Sequence, residues 1–457
     1  MHAQLQGELH SRQSRKGNIE VAVFNNGILF GDHRQMITSA PFQYGFAPYL
    51  LNYPKSNTQI SVHGFYHGIG IFARKDKKKL FSDAGYLRTT FLEPHEIAHG
   101  PFSQMVPGYI GDPKAGYDPV YKGYGWRYND DPDFIVYSSL DYNEKGVDIS
   151  GANYNDWPIR NIHNTGKYVA SPLERREYPP KYVSDEDMFA VFKDTDIRAD
   201  ERYTGVGGKS EPICVEVHHY MHFWDLGVFN NIMIYRYEII NKSGVSLDSV
   251  YFIFSPNLDY NPWNRIFAGF PQDQLIKMIN LPYVKNGMTS FIHTELTTPH
   301  NWRGFYKESP FSIISYKHIS SSSTLSSHVP YFWRRPSSSS LHDSTGNYYL
   351  PDSLLYDSVT TYFPNAPDSA GTFGAFIAGP FNLRPLDTAR SSYAISFSDD
   401  LKKLVLMNEA IAAMHLNNYQ RPSPPPTATL TGKGLNNAVR LQWNSVSEQA
   451  TDIIVPD

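Results

Sequence analysis

Apolar and polar residues alternate along several stretches of the chain, which is the pattern of β-strands with one buried face. The clearest stretch covers residues 213–223, where the odd positions are mostly apolar. Residues 233–239 repeat the pattern, and a third apolar run at 250–254 follows a turn at 241–244. We expect these three strands to pair in chain order as a β-meander.

One amphipathic helix is predicted after the strands. Ser398 is a candidate N-cap, and Asp399 and Asp400 place negative charge in the first turn, where the helix dipole favours it. Apolar residues then recur at spacings of 3, 4 and 3, as on one face of an α-helix: Leu404, Met407, Ile411 and Met414. The fold class predicted for the main region is therefore mainly β, of the β-sandwich type, with one C-terminal helix.

Composition divides the chain into a polar N-terminal tail (1–16), a β-rich main region (17–420), a proline linker (421–426) and a last segment (427–457). The main region holds one or two β domains, and it starts with two short strands around a tight turn at 25–27. Its serine-rich segment 320–340 is predicted to be a mobile insertion loop. The last segment holds a strand, a Gly/Asn turn and a second strand ending in Trp443. It resembles the first strands of an immunoglobulin-like or fibronectin type III domain, and we expect it to be an incomplete module.

Aromatic residues make up 14% of the chain, with 32 Tyr and 27 Phe, which favours β-structure over helical bundles. Tyrosine suits a half-buried sheet face, where its ring packs and its hydroxyl stays hydrated. The alternative interpretation is a surface on which sugars stack. The predicted partners are accordingly surface glycans or other envelope proteins.

Charge and hydropathy exclude several classes of partner. The net charge is -4 and the isoelectric point is about 6.5, so no basic field attracts nucleic acid. No stretch approaches the roughly 18 apolar residues of a membrane span. Cys214 is the single cysteine, so no intrachain disulfide or thiolate cluster forms. The polar N-terminus lacks the apolar core of a signal peptide, and we expect an export leader to lie upstream of residue 1.

A series of motifs between residues 17 and 445 carries a family resemblance. In order, the motifs are GNIEVAVFNNGILFG, NYPKSNTQISVHGFYHGIGIFAR, DYNEKGVDISGANYNDWPIRN, SDEDMFAVFKDTD, VEVHHYMHFWD, NNIMIYRYEIINKSG, AGPFNLRPLDTAR and SPPPTATL. This order resembles a group of large uncharacterised exported bacterial proteins that commonly end in a type IX secretion sorting domain. The resemblance implies export, residence at the cell surface or outside the cell, and fibronectin-like modules downstream. It implies no established enzymatic activity.

The sharpest chemical motif is HEIAH at residues 95–99, which matches the zinc motif HExxH. On a helix, His95 and His99 would share a face and bind zinc, while Glu96 would activate a bound water for peptide hydrolysis. Pro94 and Pro101 leave room for barely two helical turns. We therefore keep a zinc metalloprotease as an alternative, with the third ligand unassigned.

Three more histidines lie in the predicted strand 213–223. His218 and His222 share one face about 13 Å apart, which is too far for one zinc ion with bonds of about 2 Å. We therefore predict that His218, His219 and His222 are surface rungs of the sheet.

A second candidate metal site is the acidic stretch from Asp141 to Asp148. Asp141, Asn143 and Asp148 supply hard oxygen atoms around a glycine turn, as in calcium loops. Lys145 occupies one of the ligand positions. An Asx-rich turn explains the same residues without an ion, because Asp and Asn bond their own backbone. Calcium is the one cofactor that the sequence suggests, and both interpretations stay open.

The predicted function is a non-catalytic structural or adhesion-type protein, secreted or carried on the cell surface. A zinc metalloprotease and a carbohydrate-binding surface protein are the alternatives.

Overall fold

Antiparallel sheets make up most of the part of the chain that the structure describes. The computed structural model describes residues 10–27, 29, 51–52, 68–84, 105–110, 117–118, 123–124, 135–152, 157, 182–195, 211–255, 278–279, 289–294, 313–321, 331–332, 352–353, 356–357, 374–398, 401–416, 419 and 427–446. Its strands are β1 (Ser11–Gln13), β2 (Glu20–Phe24), β3 (Leu51–Asn52), β4 (Gly68–Lys75), β5 (Lys78–Ala84), β6 (Val106–Pro107), β7 (Tyr117–Asp118), β8 (Gly123–Tyr124), β9 (Tyr137–Ser138), β10 (Glu186–Lys193), β11 (Val215–Phe223), β12 (Ile232–Asn241), β13 (Leu247–Ser255), β14 (Met278–Ile279), β15 (Thr289–Thr294), β16 (Ile313–Ser321), β17 (Tyr331–Phe332), β18 (Gly374–Leu383), β19 (Thr388–Ser398), β20 (Leu430–Leu435) and β21 (Ala438–Trp443). One long helix, α1 (Leu401–Leu416), lies among these residues, followed by two strands. The predicted fold class is confirmed.

Two large sheets face each other. Within the described residues the larger has nine strands in the order β14-β15-β16-β19-β12-β11-β10-β6, with β9 also paired to β10. The other has five strands in the order β17-β18-β13-β4-β5. Small sheets join β1, β2 and β3, pair β7 with β8, and pair β20 with β21. The two large sheets give the main region its sandwich-like architecture.

The apolar core lies between the two large sheets, and tyrosine rings form part of it. Tyr235, Tyr237 and Tyr393 of the nine-stranded sheet are 0–1% exposed. Tyr393 stacks on Phe254 of the other sheet with ring centroids 4.4 Å apart, and its hydroxyl accepts a hydrogen bond from Ser391 at 2.8 Å. The prediction of a half-buried sheet face is therefore wrong for these tyrosines. The second sheet covers the whole of each ring.

Two corners at one end of the sandwich carry the chain from sheet to sheet. β12 continues into β13, and β18 continues into β19. β12 and β19 are therefore neighbours in the larger sheet, and β13 and β18 are neighbours in the smaller one. Buried Asn241 ties both corners together: its amide donates to the carbonyls of Val245 (2.7 Å) and Leu383 (2.8 Å). The predicted β-meander is therefore wrong at its third strand. β19 occupies the edge of β12 that β13 would have used.

Helix α1 packs on the outer face of the nine-stranded sheet. Met407, Ile411 and Met414 are buried and share a second apolar cluster with Ile234 and Ala394 of the sheet. These are three of the four predicted face positions, which accounts for the amphipathic pattern. Of the helices in the described ranges, none has the length and apolar character needed to cross a membrane.

Residues 14–18, which we call the N-terminal strap, are held by a buried carboxylate. Glu186 is 0% exposed. It accepts hydrogen bonds from the backbone N–H of Arg15 (2.5 Å) and Lys16 (2.9 Å) and from the hydroxyl of Ser138 (2.6 Å). Residues 11–13, which the sequence placed in a polar tail, form β1 and pair with β2.

The serine-rich segment 320–340 is only partly described. Residues 320–321 end β16, and β17 pairs with β18. The remainder of the segment, like the proline linker 421–426, lies outside the described residues. The loop prediction is therefore untested there.

Strands β20 and β21 form a two-stranded amphipathic hairpin. The register pairs Leu430 with Trp443 and Gly432 with Leu441, so Leu430, Leu441 and Trp443 share one face. Trp443 is 61% exposed and Leu441 57%. The opposite face carries Lys433 and other polar residues, together with Leu435 next to the turn.

Candidate functional site

Strand β11 carries three histidines, and the structure places all of them in the interior. His218 and His222 lie on the outer face of the nine-stranded sheet and His219 on the inner face, because side chains alternate along a strand. Each is at most 2% exposed. The prediction of surface rungs is therefore wrong. β11 is a central strand, and neighbouring parts of the chain cover both of its faces.

Asp187 and His222 form a carboxylate–histidine pair between β10 and β11. The two residues are cross-strand partners, and Oδ1 of Asp187 lies 2.7 Å from Nδ1 of His222. Asp187 also accepts hydrogen bonds from the backbone N–H of Val183 (2.7 Å) and Ser184 (3.1 Å) and from the hydroxyl of Ser184. Burial lowers the pKa of His222, although Asp187 opposes the shift. The ring is therefore neutral at pH 7, with its proton assigned to Nδ1, where the carboxylate accepts it.

The other nitrogen of His222, Nε2, is buried and lacks a hydrogen-bond partner among the described residues. The ring of Tyr419 stacks against the imidazole, with centroids 5.9 Å apart and planes at 22°. The guanidinium of Arg236 lies over the Tyr419 ring at 4.9 Å and over the Tyr220 ring at 5.4 Å. A histidine held by a carboxylate is an arrangement that can act as a general base. Here Tyr419, which is 5% exposed, covers the His222 ring.

Glu216 and His218 form a second carboxylate–histidine pair on the same face. Oε1 of Glu216 is 2.8 Å from Nε2 of His218, and its other oxygen accepts the backbone N–H of Ile110 at 2.6 Å. Burial alone would raise the pKa of Glu216, but the Lys242 ammonium, His218 and the Ile110 amide together lower it to about 2. The carboxylate is therefore charged at pH 7 and joins a loop to the sheet.

His219 lies in the core without such a partner. Its ring stacks on Tyr237 with centroids 4.5 Å apart and planes at 9°, and on Tyr235 at 5.9 Å. Neither ring nitrogen has a hydrogen-bond partner among the described residues. Burial, and to a smaller extent His222, lowers the pKa of His219 to about 3. The ring is neutral over the physiological pH range.

The predicted calcium ligands lie in one loop. Asp141 faces the guanidinium groups of Arg12 and Arg15. Oδ1 of Asn143 accepts two backbone N–H groups of the following turn (2.9 and 3.0 Å). Oδ1 of Asp148 accepts the backbone N–H (2.8 Å) and hydroxyl (2.6 Å) of the serine two residues later. These are the contacts of an Asx-rich turn, the alternative interpretation.

Metal binding stays a prediction at both candidate sites. The predicted zinc residues His95, Glu96 and His99 lie outside the described residues. Within the described ranges, no group of three or more His, Cys, Asp or Glu side chains is arranged to hold a metal ion.

Neither the Asp187–His222 pair nor its Tyr419 cover is predicted from the sequence pattern. The alternating pattern assigned His222 to an exposed face, although the signal for a covered face was present in the next strand. β12 begins with four consecutive apolar residues, from Ile232 to Tyr235. A continuous apolar run indicates a strand that is buried on both sides.

Comparison with known proteins gives no family assignment. No protein-family model matches the chain. No curated protein matches it at a significant level.

Proposed function

We propose that this chain is the main β region of a non-catalytic structural or adhesion-type protein that is exported by the type IX route and is secreted or held on the cell surface. The observation that carries the proposal is that buried ionisable side chains of the chain bind other groups of the same sandwich. Asp187 and Glu216 are 5% and 0% exposed and bind histidines and backbone amides of the same sandwich. Groups of the kind that would face a cleft in an enzyme here join strands and loops.

The hairpin of β20 and β21 supports a modular protein. Its apolar face is exposed, and an isolated two-stranded hairpin is only marginally stable in water. We infer that this face packs inside a further sandwich module of the fibronectin type III kind. Many cell-surface proteins use domains of this architecture.

Location is tested by antibody labelling of intact cells of the source organism and by fractionation. Surface or culture-medium location, lost when the type IX system is disrupted, is expected. Recovery of the protein only from the cytoplasm would overturn the proposal.

Absence of catalysis is tested by incubating the purified full chain with peptide and glycan libraries. No turnover is expected. Turnover that a single substitution abolishes, while the fold is retained, would overturn the proposal.

A zinc metalloprotease is the second candidate, favoured by the HEIAH motif at 95–99. It predicts one zinc ion per chain by elemental analysis, lost in His95→Ala. Glu96→Gln is the matched control, because it should retain zinc and lose peptide hydrolysis. A purified wild-type protein that takes up no stoichiometric zinc would exclude this candidate.

Carbohydrate binding is the third candidate, favoured by the exposed ring of Trp443. A glycan array probed with wild type and Trp443→Ala tests it. The substitution should abolish binding, whereas Leu441→Ala on the same hairpin face should not. An array without signal for the wild type removes this candidate.

A further inference from the structure

Tyr419 fills a recess on the outer face of the nine-stranded sheet, just beyond the end of α1. Its backbone N–H donates to the carbonyl of Met414 at 2.8 Å. Its φ of 62° lies in the left-handed region, which is uncommon for a residue other than glycine. The side chain is nevertheless buried, at 5% exposure. The recess therefore holds the tyrosine in a backbone conformation that it rarely adopts.

Separate groups in the recess contact separate parts of the tyrosine side chain. The His222 ring stacks against the aromatic face, and the Arg236 guanidinium lies over the same ring at 4.9 Å. The hydroxyl shares a hydrogen bond of 2.8 Å with Nδ1 of His415. One group thus recognises the hydroxyl, and two recognise the ring.

The two groups that contact the aromatic ring, His222 and Arg236, are also held by other residues of three strands. Asp187 of β10 fixes the His222 ring at 2.7 Å. Arg236 also lies over the Tyr220 ring, and the Tyr220 hydroxyl donates to Glu238 at 3.2 Å. A site whose walls are held by other residues stays formed when its occupant leaves.

We propose that this recess is a binding site for a phenol group, and that Tyr419 occupies it as an internal ligand. The chemical class of its ligand is a phenol, which proteins carry as tyrosine. The recess accepts the tyrosine side chain of another protein segment when Tyr419 withdraws.

The test uses the full chain with Tyr419→Gly, because glycine tolerates the left-handed backbone and leaves the recess empty. The ligand is p-cresol, which has the structure of the tyrosine side chain. We expect p-cresol to raise the thermal midpoint of Tyr419→Gly and to leave the wild type unchanged. Leu416→Ala is the matched control, since Leu416 is 70% exposed at the end of the same helix. It should behave as the wild type does.

The chemical specificity is tested with toluene, which lacks the hydroxyl. Toluene should bind Tyr419→Gly about fivefold more weakly than p-cresol does, the ratio expected for one hydrogen bond. Adding Arg236→Met should weaken p-cresol binding as well. A folded Tyr419→Gly protein that ignores p-cresol, or that binds toluene equally well, overturns the proposal.

A second variant keeps the test decisive if Tyr419→Gly does not fold. Tyr419→Phe keeps the ring and loses only the hydroxyl. Amide hydrogen exchange at residue 419 should become about fivefold faster, because the lost hydrogen bond to His415 weakens docking. Unchanged exchange at this amide would show that the recess does not recognise the hydroxyl.

Discussion

Replacing His219 by phenylalanine is expected to stabilise the protein at pH 7 and to remove part of its sensitivity to acid. The ring nitrogens of His219 are buried without hydrogen-bond partners among the described residues. Phenylalanine keeps an aromatic ring against Tyr237 and removes both polar atoms. One unsatisfied buried group costs about 1–3 kcal/mol, and the slightly larger ring offsets part of the gain. We expect the free energy of unfolding to rise by about 1 kcal/mol or more.

The effect of pH follows from the lowered pKa of His219. Burial, and then His222, moves this pKa from 6.5 to about 3. Below pH 6.5 the unfolded chain binds a proton that the folded protein does not bind until about pH 3. The contribution to stability is therefore fully present above pH 6.5 and is lost as the pH falls. For one such histidine the loss is about 2 kcal/mol between pH 7 and pH 5.

Urea denaturation at pH 7 and pH 5, followed by the fluorescence of buried Trp157 and Trp224, measures both effects. The control is Tyr237→Phe, which removes from the same stack a buried hydroxyl that has no hydrogen-bond partner in the described part of the chain. It should keep the wild-type pH dependence, since tyrosine does not titrate between pH 5 and 7. The reasoning is refuted if His219→Phe loses as much stability on acidification as the wild type, or is less stable at pH 7.

Three other substitutions, one of them with a matched control, test the fold by urea denaturation. Glu186→Ala should lower the free energy of unfolding by about 1–3 kcal/mol, because the strap N–H groups and the Ser138 hydroxyl lose their acceptor; an unchanged midpoint would contradict this role. Gly27→Ala should cost about 2–4 kcal/mol, because its φ is 85° and its new Cβ would lie 2.8 Å from the Phe192 ring. Gly151→Ala is its control, at about 1 kcal/mol, since its φ is 77° but nothing lies within 4 Å; equal costs would refute the steric argument. Asn241→Ala should cost about 1–3 kcal/mol by removing the amide that joins the carbonyls of Val245 and Leu383, and faster amide exchange at both corners should accompany the loss.

Local pattern was sufficient to predict helix α1 and the strands β11 and β12. Helix α1 was predicted because Met407, Ile411 and Met414 recur at helical spacing, and these side chains are buried against the sheet. Strands β11 and β12 were predicted from their alternation. In both cases the information lies within about ten neighbouring residues.

Partners that are distant in sequence account for what the sequence did not predict. β13 leaves the predicted meander because β19, far along the chain, occupies the edge of β12. Asp187 meets His222 through strand register, and Tyr419 reaches the same site from beyond α1. A single sequence specifies neither meeting, since pairing choices depend on the whole fold.

The two corners at one end of the sandwich have a consequence for the time course of folding. The centre of the larger sheet joins Met233 to Ile395, about 160 residues apart, and such distant pairings make folding slow. The centre of the smaller sheet likewise joins β13 to β18. Neither sheet is complete until the residues of β18 and β19 have been synthesised. Because the chain is synthesised from its N-terminus, the sandwich stays open until most of the chain has been made. Closure of the sandwich is therefore a late event.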